Sequence, residues 1–469
     1  MSDFDVCWMN ALELVNAFTR KKLSPVEALN AVLSRVEEVN PRINAIVTLT
    51  AEAALECAKR AEAAYMRGEA RELEGVPLTV KDLIPVKDVR CTFGSRFFED
   101  FVPEMDAVVV ERMKRAGAVI IGKTNTPEFG LVAVTDNSVF GPARNPWDTA
   151  KTPGGSSGGA AAALAAGLGP IALGNDGGGS IRIPSGLCGT FGLKPQYGRV
   201  PSWPHIMLNY MTLNCEGPMT RSVADAALMM DVLAGPDERD RTSLPDRGGS
   251  YLSSIGSSMK GLRIAYTDLI SPVVETEVAS VAAAAAKVFI DMGCDVSDDA
   301  PDMPDLSEDL TKLVILETAA ANEDRMDQKE KLFPPYQPFM DLPQFLSPLD
   351  TVKVYFHREE LWDKLWPFFE RYDLLLTPTT TCAAFDIKEN QLGPEEVNGT
   401  PVTPASWVSY TFPFNFTGQP AASVPCGFTE AGLPVGLQIV GGRYREDLVL
   451  KAAAAFEEAR PWAQSHPSI

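Results

Sequence analysis

Apolar residues recur at helical spacing early in the chain. Val26, Leu29, Val32, Leu33 and Val36 follow the segment Ser24-Pro25-Val26-Glu27. A Ser with Glu three residues on, and Pro at the first helical position, is a helix-start signal. Ala51 to Arg67, rich in Ala and Glu, predicts another helix, so residues 1–70 read as an outer helical layer. From Gly75 the texture changes. Val76-Pro77-Leu78-Thr79-Val80 is a short apolar run ending at Lys81 and reads as a buried strand. Asp106 to Ala116 predicts a helix and Ala118-Val119-Ile120-Ile121 a strand. Further strands are predicted at Pro170-Ile171-Ala172-Leu173 and Leu374-Leu375-Leu376. Leu262 to Val296 reads as strand, Ala-rich helix, strand. Leu437 to Arg460 reads as a strand and an amphipathic helix. Helices alternating with buried strands predict an α/β layer fold. Residues 301–350 look irregular and Pro-rich, with Phe333, Tyr336, Phe339 and Phe345. An insert of that kind is a candidate binding loop or substrate lid. No repeat and no clean break divides residues 1–469, so a single large domain is expected.

Composition narrows the function classes. The 469 residues are 45% hydrophobic and 22% charged, the balance of a soluble globular protein. Net charge is −20, which repels phosphate and argues against nucleic acid or an anionic membrane as the main partner. The long uncharged runs are broken by Pro, Gly, Ser and Asn, so no membrane span is expected. Eight Cys occur without a C-x-x-C pair, so no metal or cluster site is expected. Asp3 and Asp5 stand where a secretory leader would be basic. Reduced thiols and a cytoplasmic location are the expectation, for a monomer or homodimer without cofactors.

The candidate chemistry lies between residues 75 and 235. Gly117 to Thr124 matches the phosphate-loop letters G-x-x-x-x-G-K-[ST], but its middle residues Ala118, Val119, Ile120 and Ile121 are strand formers. That reading is rejected. Gly154-Gly155-Ser156-Ser157-Gly158-Gly159 runs straight into an Ala-rich helix, so it reads as an anion- or oxyanion-binding turn rather than a linker. Gly177-Gly178-Gly179 follows an apolar strand and lets N–H groups converge on one oxygen, with Ser180 beside them as a natural nucleophile. Such a Ser needs a base. The three His, at 205, 357 and 466, are poorly placed, so a lysine is the better candidate. Lys81 ends an apolar strand, where desolvation lowers its pKa. Lys123 is the second candidate, and Lys87 sits in a more polar loop.

These residues resemble the amidase signature family of serine hydrolases. The resemblance rests on Gly75-Val76-Pro77 through Lys81-Asp82, Gly154 to Gly159, Asp176 to Arg182, Gly192 to Pro195, Gly217 to Arg221 and Gly432 to Gln438. It implies one amidase-type α/β domain, a mixed twisted sheet covered by helices on both faces, with residues 71–235 as the catalytic region. It implies a Ser-Ser-Lys triad: Ser180 as nucleophile, Ser156 as bridging Ser held by a cis peptide, Lys81 as base. N–H groups of Gly177, Gly178 and Gly179 through Ser180 would form the oxyanion hole, with Ser157, Asp176 and Arg182 in support. No cofactor is implied. Asn175 and Gly177 depart from the residues usual in the family. The expected substrates are small-molecule amides, aryl or small and apolar, and carbamates (urethanes) or esters. Residues 203–210 and 333–345 are the expected pocket walls. A glutaminase subunit of a tRNA-dependent amidotransferase is the alternative. The basic stretch and Gly-Thr-Tyr-like segment expected of it are absent between Asp327 and Glu359.

Overall fold

The computed structural model describes residues 2–206 and 212–469. Positions 207–210 of the expected pocket loop thus lie outside the described residues. One mixed sheet of 11 strands organises the chain. In spatial order its strands are Ile46–Leu49, Val119–Thr124, Pro77–Lys81, Ile171–Asp176, Cys215–Thr220, Phe191–Lys194, Ala421–Phe428, Pro434–Gly441, Leu374–Pro378, Arg263–Tyr266 and Asp295–Asp298. Pro77–Lys81 lies parallel to both its neighbours, and Ile171–Asp176 runs antiparallel to Cys215–Thr220.

Successive strand side chains point to opposite faces, and the core divides accordingly. Ile171, Leu173, Leu374 and Leu376 join the packing of the helices Val108–Arg115, Val223–Leu233, Thr276–Ala286 and Glu446–Ala459. Ala172 and Leu375 face the other way, onto the helices Gly158–Ala165 and Pro348–Arg371 respectively. The N-terminal helices cover Val119 and Ile121 at one end of the sheet. Their start signal is realised: Ser24 Oγ accepts from the Glu27 N–H at 3.1 Å and Glu27 Oε2 from the Ser24 N–H at 2.8 Å. The phosphate-loop letters fall within the strand Val119–Thr124 and its preceding turn, as strand-forming residues require.

The segment 301–350 is not irregular throughout. It opens with an α-helix, Ser307–Ala321, which has Glu308 and Asp309 in its first turn and buries Leu310, Leu313 and Ile315. The prolines lie outside this helix, and the Pro-rich composition masked its periodicity. Short 3₁₀ turns then lead to the helix Pro348–Arg371. No helix among the described residues is long and apolar enough to cross a membrane.

Candidate active site

Lys81 is the last residue of a strand buried along its whole length, and its side chain is fully enclosed. Lys81 Nζ donates to Ser156 Oγ at 2.6 Å and to Asn175 Oδ1 at 2.6 Å. Both partners are neutral. Burial pushes the Lys81 ammonium well below its ordinary value, with Asp176 pulling the other way. This is the environment a neutral lysine base requires.

Ser156 is buried and follows a cis peptide, Gly155–Ser156. Ser157 is turned elsewhere: its N–H donates to the Ser180 carbonyl at 3.1 Å and its Oγ to the Asn175 carbonyl at 3.3 Å. The two serines are thus separated by their surroundings. One meets the lysine, and the other ties the two glycine-rich loops together. Ser180 is half-buried at the junction of two cavities.

The loop carrying Ser180 hangs on one buried ion pair. Arg182 Nε and Nη2 donate to Asp176 Oδ2 and Oδ1, each at 2.9 Å. The remaining guanidinium N–H groups donate to Thr411 O at 2.8 Å, Gln438 Oε1 at 2.7 Å and Asn415 Oδ1 at 2.6 Å. All five donors of Arg182 therefore have acceptors. Burial opposes the Asp176 charge, but the Arg182 guanidinium outweighs it and holds the carboxyl below the usual range. Asp176 Oδ1 also accepts the Gly179 N–H at 2.7 Å.

That bond corrects one expectation. The Gly179 N–H is occupied by Asp176, so Gly179 is not an oxyanion donor. Its φ of +129° lets it shape the turn instead. The N–H groups of Gly177 and Gly178 make no hydrogen bond to the described residues and border the cavities beside Ser180.

The alternative bases are placed elsewhere. Lys123 Nζ pairs with Asp82 Oδ1 at 3.1 Å, both groups buried, and its pKa is raised. Lys87 is exposed. Asn175, Thr411, Asn415 and Gln438 were not singled out by sequence reasoning as site residues. A polar Asn at the end of the apolar run Ile171-Ala172-Leu173 was the one signal available for Asn175. The others approach from segments more than 200 positions away.

The larger cavity, about 470 Å³, is apolar, with Ile183, Leu310, Val314, Ile315 and Met340 in its wall. From the aromatic insert, Tyr336 and Phe339 reach it. Phe333 is instead tied by its N–H to Glu128 Oε2 at 2.6 Å, and Phe345 is exposed. The smaller cavity, about 70 Å³, is bordered by Ser156, Asn175, Gly177 and Ser180.

Comparisons with known proteins give the chain its family and fold. An acylamidase of Rhodococcus erythropolis is 38% identical across 100% of this chain and 99% of its own. A glutamyl-tRNA(Gln) amidotransferase subunit from Moorella thermoacetica is 36% identical across 99% of each. The crystal structure of a bacterial aryl acylamidase of the amidase signature family superposes with a TM-score of 0.92, at 32% identity and 97% coverage of each chain. The Amidase family model matches residues 27–450. With that match spanning nearly the whole chain and the fold following its relatives, this protein belongs to the amidase signature family and is an amide hydrolase.

Proposed function

We propose that this chain hydrolyses the C–N bond of linear amides with an apolar aliphatic or aryl acyl side and of carbamates of the same shape, and the acyl C–O bond of the matching esters, through an acyl-enzyme on Ser180. The observation that carries this reading is the buried Lys81, hydrogen-bonded at 2.6 Å to Ser156 Oγ and to no carboxylate. Ser180 gives its proton to Ser156, which passes its own to neutral Lys81, as the Ser180 oxygen bonds to the carbonyl carbon. The resulting oxyanion accepts from the N–H groups of Gly177 and Gly178. Lys81 then returns the proton through Ser156 to the departing nitrogen, and the C–N bond breaks. Water repeats the sequence on the acyl-Ser180 ester, releasing the acid and restoring the serine.

The apolar cavity argues against glutamine as the substrate. Among the described residues, Glu308 is the one charged residue on its wall, and no Lys, Arg or His meets it. A free amino acid's carboxylate would be desolvated there without a cation.

The test is amine release from a chromogenic anilide and its matching carbamate, without ATP or partner, by wild type, Ser180→Ala and Lys81→Ala. Turnover by wild type alone supports the reading, and the ratio of rates ranks amide against carbamate. Glutamine cleavage that appears only when a partner is added would move the chain to the amidotransferase class.

A further inference from the structure

Glu216 is a buried acid with no place in the mechanism above. It stands directly opposite Asn175 in the antiparallel ladder between Ile171–Asp176 and Cys215–Thr220. Residues opposite one another share a face, their Cβ atoms roughly 5 Å apart. Asn175 is the residue whose Oδ1 holds Lys81. Glu216 therefore faces the catalytic region and borders the smaller cavity together with Ser156 and Ser180. Its Oε1 accepts from Ser202 Oγ at 3.4 Å, a long bond. Its Oε2 is enclosed and has no hydrogen-bond partner among the described residues. Burial pushes the carboxyl up to about 8, so without a cation beside it the group keeps its proton near neutral pH, and an adjacent ammonium favours the carboxylate. A buried acceptor left unmade is costly, and a ligand that supplies the donor removes the cost.

The two cavities can be assigned to the two ends of an amide. Ser156 borders the smaller one and not the larger. Ser156 is also the group that hands the proton to the departing nitrogen, so the nitrogen and its substituent lie on that side. The acyl group then occupies the apolar cavity. This assignment rests on the acyl-enzyme reading given above. At about 70 Å³ the nitrogen-side cavity admits only a short substituent.

We propose that Glu216 is the specificity residue for the leaving group, and that the preferred substrates are amides whose departing nitrogen carries a short chain ending in an ammonium, which donates to Glu216 Oε2. The acyl side stays apolar and the leaving amine is a short diamine.

The experiment compares two isosteric amides of 3-phenylpropanoic acid, the N-propyl and the N-(2-aminoethyl), by release of their common acid. Hydrogen bonds to charged groups are strong enough for wild type to favour the aminoethyl amide in kcat/KM by about tenfold or more. In Glu216→Gln, which keeps the shape and removes the charge, the ratio should fall to about one while the N-propyl amide is still turned over. Equal rates on both amides, or a preference for propyl, in wild type would overturn the proposal whether or not the variant folds. So would a preference that persists in Glu216→Gln. Failure of wild type to exceed Ser180→Ala on either amide is a different result, and it overturns the acyl-enzyme reading itself.

Discussion

Arg182→Leu removes the guanidinium that holds the Ser180 loop. The side chain is fully buried and all five of its N–H groups are bonded, two of them to Asp176. Leucine fills part of the space but leaves the Asp176 carboxylate without its cation in the core. Breaking a buried pair on one side costs about 3–5 kcal/mol, because the surviving charge is uncompensated. For a chain of this length a kcal/mol corresponds to about 1 °C in Tm, so Tm should fall by about 3–5 °C. The pH dependence gives a sharper test. In the native protein Asp176 titrates below its unfolded value, so its contribution to stability is complete above about pH 4 and is lost as pH falls through the folded value. In the variant, burial without Arg182 raises the carboxyl above its unfolded value. The ionised group then opposes folding at neutral pH, and protonation relieves it. The Tm gap between variant and native protein should therefore narrow from pH 7.5 to pH 5. Scanning calorimetry at the two pH values measures both effects. A gap below about 1 °C that does not change with pH would refute the argument that this pair anchors the loop.

Three further outcomes follow from the same geometry. Gly179→Ala places a Cβ 2.5 Å from Ile183 Cδ1, and closer still to Thr411 Oγ1, at a φ of +129°. The turn must shift and carry Ser180 with it, so kcat should fall about 100-fold or more with little change in KM, and an unchanged kcat would contradict this. Because burial favours the neutral form of Lys81, kcat/KM should rise with pH through its lowered pKa and then level off. Lys81→Arg, which cannot release its proton, should lose about 100-fold or more at every pH, whereas a flat wild-type profile from about pH 6 to 9 would refute the role. Glu128→Ala cuts the 2.6 Å bond that holds Phe333 and with it the wall formed by Tyr336, Phe339 and Met340. KM for bulky acyl groups should rise about 5- to 30-fold with kcat nearly constant, as steady-state kinetics would show.

The strands Pro77–Lys81, Val119–Thr124, Ile171–Asp176 and Leu374–Pro378 were readable because their apolar runs are buried on both sides, whereas Ile46–Leu49, Phe191–Lys194, Cys215–Thr220 and Ala421–Phe428 were not read as strands. Lys81 and Ser180 stood out as candidates for a related reason. A charge that ends an apolar strand, and a serine that follows three glycines, each break a local rule, and local rules are broken at functional sites. Ser156 and Ser157 were not separable from the bare residues, since both lie in one Gly-Ser run. What distinguishes them is Lys81, 75 positions away. Thr411 and Asn415 carried no local signal, and Gln438 stood out only as the end of the Gly432 to Gln438 motif, because each is an ordinary polar residue until the fold brings it to Arg182. The helix Ser307–Ala321 was missed for the opposite reason. Its periodicity was present, but the prolines outside it dominated the reading.

The chain buries two lysines on neighbouring strands and gives them opposite fates. Lys81 and Asp82 are adjacent in sequence, and the simplest expectation for a buried Lys-Asp pair is mutual neutralisation. Extended backbone prevents it, because successive side chains leave on opposite sides. Asp82 instead meets Lys123 at 3.1 Å, and Thr92 donates to it with both its N–H, at 3.0 Å, and its hydroxyl, at 2.6 Å. Lys123 is thereby kept protonated. Lys81 pairs in the ladder with Thr124, one residue beyond Lys123, and so faces the other side. There it finds a hydroxyl and an amide, groups that accept a hydrogen bond without supplying a negative charge. The carboxylate nearest in sequence is thus committed to Lys123, and Lys81 is left without an ion pair. Asp176, the carboxylate that does reach Lys81 electrostatically, is itself bound by Arg182. Two ion pairs, Asp82–Lys123 and Asp176–Arg182, take up the two carboxylates nearest Lys81, and their joint effect is to leave its buried amine without an ion pair of its own.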